Sequence, residues 1–115
     1  MMDGFFRIAF TGTAGSGFGM LVLRNGIIAG ADMAGSIYDG TYTENSQTEE
    51  IGLQLTMAAP EGVTLVQTGV PLAAPLILPI TTTLAQSDIA TEKLISLQTS
   101  LGPVNVIFKK IRDFP

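Results

Sequence analysis

The sequence predicts an all-β fold: one small domain of about eight short antiparallel strands around a single apolar interior, with room for one short helix. Two observations carry this expectation. Apolar residues recur with a period of two along most of the chain, and turn-forming residues punctuate it about every 8 to 12 positions. At 115 residues the chain suits one domain spanning 1–115, able to bury roughly two-thirds of the surface its unfolded form exposes.

The elements follow in order. Phe6, Ile8 and Phe10 share one side of a first strand, with Arg7 and Ala9 on the other. Residues 18–24 form a second, nearly all-apolar run that ends at Asn25-Gly26. Asn and Gly tolerate the positive φ angles of a two-residue type I′ turn, so residues 20–28 are expected to form a β-hairpin. Asp32-Met33-Ala34-Gly35 reads as a turn, and residues 36–44 as a strand with Tyr38 and Tyr42 on one face. Residues 45–48 are polar and loop-like. Ile51, Leu53, Leu55 and Met57 then alternate with Gly52, Gln54, Thr56 and Ala58, the pattern of a strand buried on one face.

Pro60-Glu61-Gly62 turns the chain into an expected strand over 63–69, and another is expected over 76–82. Residues 84–93 leave room for a short helix capped by Ser87 or Asp88, with Thr91 and Glu92 in its first turns. Strands over 94–99 and 104–111, separated by Gly102-Pro103 as the turn, complete eight or nine strands. That rhythm fits a closed antiparallel barrel or a sandwich, and closure would hide the strand edges of so apolar a chain.

Apolar residues make up 46% of the chain and charged residues 14%, with a net charge of −4. An acidic chain is a poor partner for nucleic acid or an anionic membrane, which recruit clustered Lys and Arg. The nearest basic cluster, Lys109, Lys110 and Arg112, reads as a solvated strand edge. The chain has no Cys and no His. Disulfides, thiolate nucleophiles, Cys/His zinc sites and a Ser-His-Asp triad are thereby excluded. Asp3, Arg7 and the glycines at 12–19 interrupt any apolar leader, and no apolar run approaches the ~20 residues of a bilayer-crossing helix, so a cytoplasmic location is expected.

Two features invite catalytic readings. The glycines of residues 12–19 suggest a phosphate-binding loop, but no Lys follows and the next element reads as a strand, which favours a hairpin connection. Asp32, Asp39, Glu44, Glu49 and Glu50 supply carboxylates, yet nothing supplies a distinct base and orienter, and their spacing is not that of a calcium loop. The expectation is a non-catalytic binding protein without metal or cofactor.

Gly4-Phe5-Phe6-Arg7-Ile8, the glycine-rich passage into an apolar strand across 17–28, and Gly30-Ala31-Asp32 followed by Tyr38-Asp39-Gly40-Thr41-Tyr42 resemble the GrlR-type negative regulators of type III secretion. The likeness covers about the first half of the chain. It implies a calycin-like (lipocalin-like) barrel, dimeric and with an apolar cavity, that restrains a transcriptional activator by protein–protein contact. An acidic Glu-Asp-Glu-Asp run after the Tyr-x-Gly strand carries that contact in the family. The matching stretch, Ser46-Gln47-Thr48-Glu49-Glu50, keeps acids only at its last two positions, with Glu44 nearby.

Two functional expectations stand. One is a regulatory module meeting a protein partner through Glu44, Glu49 and Glu50. The other is a carrier or sensor of a small apolar ligand, with Ile51, Leu53, Leu55 and Met57 lining the barrel. An eight-stranded barrel is just wide enough either to fill with side chains or to hold one such ligand. The apolar excess, with Leu72, Leu76, Ile77 and Leu78 between Pro71 and Pro79, further predicts a strip covered by a second copy in a homodimer.

Overall fold

A computed structural model describes residues 2–115. Eight strands run in the order β1 (Gly4–Gly12), β2 (Gly15–Arg24), β3 (Ile27–Asp32), β4 (Ile37–Asn45), β5 (Glu50–Ala59), β6 (Leu76–Ala85), β7 (Ile95–Thr99) and β8 (Gly102–Asp113), with one helix, α1 (Gln86–Ala90), between β6 and β7. The sheet order is β6-β5-β4-β3-β2-β1-β8-β7, every neighbouring pair is antiparallel, and the sheet curls into a nearly closed barrel. β6 and β7 face each other without a ladder, and α1 carries the chain across that gap.

The period-two faces point as their alternation requires. Phe6 and Ile8 of β1, Leu21 and Leu23 of β2, and Val104, Val106 and Phe108 of β8 are all buried. The hairpin at Asn25-Gly26 forms with φ of 50° and 80°, the two positive values of a type I′ turn, and pairs Arg24 with Ile27. Interior glycines let the sheet coil tightly. A Cβ on Gly40 would lie 2.1 Å from the Gln54 carbonyl oxygen, and one on Gly30 2.2 Å from that of Met20.

Several expectations are corrected. Residues 63–69 are not a strand: their backbone makes one bridge, Thr64 to Pro71, and turns back through Gly69 at φ 68°. Their alternation has another cause, since Val63 and Leu65 are buried where the segment crosses one barrel end. The connection between β1 and β2 is only Thr13-Ala14. Gly15, Gly17 and Gly19 belong to β2, where Gly17 makes room for the Phe10 ring. Ser100-Leu101, not Gly102-Pro103, makes the turn before β8, and Gly102 opens that strand with φ 125°. Neither Ser87 nor Asp88 caps the helix. Its N-cap is Ala85, without a side-chain bond, and Thr91 and Glu92 lie beyond its end.

Of the four large apolar residues in the strip over 71–79, Leu78 is buried, Leu72 and Leu76 are half-buried and Ile77 is exposed, as are the strip's prolines and alanines. The basic cluster lies on β8 beyond the reach of β7, whose register ends at Val106. There the Lys110 ammonium sits 5.9 Å from the Phe6 ring centroid and pairs with Asp113.

Candidate functional site

The barrel interior divides along its axis. At one end, Phe6, Leu23, Ile28, Tyr42, Ile51 and Leu84 pack together, and Ile89 of α1, 5% exposed, closes that end. Tyr42 donates a hydrogen bond to Asp3 there, which ties the start of β1 to β4. Burial first, and then the Asp3 carboxylate, push the Tyr42 phenol up to about 12.

The other half is hollow. A cavity of about 440 Å³ lies between Ile8, Leu21, Leu55, Leu78, Leu97 and Phe108. Its rim includes the exposed Ser16, Phe18, Met33 and Ala34, so it opens between the β1–β2 hairpin and the Asp32 turn. The crossing segment covers part of this opening. The Ala14 N–H donates to the Val66 carbonyl at 2.8 Å, and Gln67 Nε2 donates to Thr99 Oγ1 at 3.4 Å.

Ser16, Thr64, Gln67, Thr82 and Thr99 are scattered over this largely apolar wall, while Asp32, Ser36 and Tyr38 meet at one place on it. Asp32 ends β3, and Gly35 at φ 101° lets the chain fold back so that Ser36 meets it. Asp32 Oδ1 accepts from the backbone N–H groups of Ala34 and Ser36, each at 3.0 Å, while Oδ2 accepts from the Tyr38 hydroxyl at 2.7 Å. Burial, followed by that bond to Asp32, raises the Tyr38 phenol well above its ordinary value. Its proton therefore stays on the oxygen and points at Asp32. Asp32 is the one Asp, Glu, Lys or Arg in the cavity wall among the described residues.

Of the four residues expected to line a cavity, Leu53, Leu55 and Met57 do so, whereas Ile51 lies wholly buried in the filled half. Residue period could separate inside from outside on β5 but not near end from far end. The sequence places Asp32 in a turn and among the candidate carboxylates, and Tyr38 on a strand face; their meeting depends on the bend at Gly35. Glu44, Glu49 and Glu50 are exposed around the β4–β5 turn, at the filled end and away from the cavity mouth. Asn45 Oδ1 accepts from the N–H groups of Gln47 and Thr48, Glu49 adopts φ 56°, and its carbonyl accepts from the Gln86 N–H.

No family model and no curated protein matches this chain. No helix among the described residues is long and apolar enough to cross a membrane.

Proposed function

We propose that this protein is a non-catalytic binding module whose barrel takes up one small, largely apolar ligand. The cavity of about 440 Å³ carries the reading. It falls in the range of ligand pockets, ~300–1,000 Å³, and is about three times the ~150 Å³ of a dry cavity that admits benzene. Its wall is apolar with a few convergent polar groups, the composition from which a binding site gains affinity and orientation.

The test uses Nile red, a neutral apolar dye. Its emission should rise and shift to the blue with the native protein, n-decanol should displace it, and Leu55→Trp, which pushes a larger side chain into the cavity, should weaken uptake while thermal unfolding stays cooperative. A dye response absent from the native protein, or unchanged by Leu55→Trp, would overturn the reading.

A second reading, a GrlR-like regulator acting by protein–protein interaction, is favoured by the acidic turn. Glu44, Glu49 and Glu50 stand exposed on a backbone fixed by Asn45 and Gln86, as a rigid charged contact requires. Charge reversal at Glu49 and Glu50 should abolish complex formation from the lysate of the native cells, and an unchanged complex removes this reading. A homodimer remains part of the proposal. Its best-placed surface is the outer row Met20, Ala31, Ile37, Ala58 and Ile77, where cross-strand pairing sets apolar residues side by side from β2 to β6.

A further inference from the structure

The wall of the cavity also restricts the head group of its guest, an inference that rests on the binding reading above. A carboxylate offers about four acceptor positions, and the Asp32 carboxylate uses three, for Ala34, Ser36 and Tyr38. The remaining position is on Oδ2. Tyr38 has committed its only proton to that same oxygen, so toward a guest its hydroxyl offers lone pairs. Both groups therefore present acceptors at one spot, and one of them is charged. Among the described residues of the wall no Lys or Arg is present to balance an anion, and the chain has no His.

We propose that the cavity selects an amphiphile with an apolar body and a hydrogen-bond-donating head, neutral or cationic, whose head binds Asp32 Oδ2 beside the Tyr38 hydroxyl. A fatty acid is the wrong guest. Its carboxylate would have to leave water for a wall whose one charged side chain among the described residues is another carboxylate, with no Lys or Arg to balance it. An alcohol or ammonium head completes the set of Asp32 partners instead, and the charge-assisted bond of an ammonium is the stronger.

Three probes with one tail and different heads, n-decanol, decylamine and decanoate, separate the possibilities at pH 7 by calorimetric titration of the full chain. Decylamine and decanol should bind, and decanoate should bind at least tenfold more weakly than decylamine. Asp32→Asn, whose side-chain oxygen can still accept from Ala34 and Ser36, should collapse the amine-over-carboxylate preference to within about threefold, and decanol, whose hydroxyl loses the Oδ2 acceptor, should bind more weakly than to the wild type. Decanoate matching decylamine in the wild-type protein would overturn this inference while the binding module stands, and that comparison needs no variant. A preference that survives in folded Asp32→Asn would remove Asp32 from the role. If none of the three probes binds, the binding reading fails, and this inference with it.

Discussion

Gly40 shows how little side-chain space the coiled sheet leaves. Its φ is not in the left-handed region; the constraint is the Gln54 carbonyl and the Leu55 Cα, both well inside contact distance of any added carbon. Gly40→Ala should destabilise the fold by about 1–3 kcal/mol, the cost of forcing atoms into a packed wall, measured by urea unfolding. The two tyrosines give a second prediction at this scale. Tyr42 ionises at about 12 in the fold against 10.0 ordinarily, and Tyr38 is also raised. A phenol kept neutral by folding adds stability that is complete below pH 10.0 and fades as pH climbs toward 12 and beyond. As the chain has only these two tyrosines, tyrosinate absorbance reports both. Its midpoint should lie near 12 or higher in the native protein and near 10 in concentrated urea; equal midpoints would contradict the burial of both rings.

Among the elements, α1 shows how a short segment acts through one residue. It is a single turn without a side-chain cap, too short to be stable alone, and Ile89 is its one buried side chain. Ile89→Ala should cost about 2–4 kcal/mol in chemical denaturation. The same variant should leave n-decanol affinity unchanged, because Ile89 closes the filled half. The strands were legible in the sequence wherever one face is wet: β5 alternates cleanly, and Asn25-Gly26 names its own turn. Residues 63–69 misled because alternate burial over a barrel end imitates a strand, and periodicity reports burial, not hydrogen-bond partners. The turn before β8 was misplaced by two residues because Gly102 and Pro103 tolerate a strand start as readily as a turn. The acids of the β4–β5 turn were readable as exposed. The Asp32–Tyr38 pair was not, since it depends on one bend and on which strand face turns inward.

Across the whole molecule, the two ends are unlike: one packed and presenting acids, the other hollow and lined with carbon. The outer row from Met20 to Ile77 adds a third surface, with Ile37 52% and Ile77 69% exposed. Light scattering at micromolar concentration should give twice the chain mass, and Ile37→Lys combined with Ile77→Glu should return it to one. A single-chain mass for the wild type would refute the dimer. The gap between β6 and β7 has a mechanical meaning. Eight strands joined in an open order share seven ladders, so along this one line the wall can part without breaking any inter-strand backbone hydrogen bond. A fully hydrogen-bonded cylinder has its girth fixed all round by ladders; this one is a split sleeve, held along one line by side-chain packing and by the α1 connection alone.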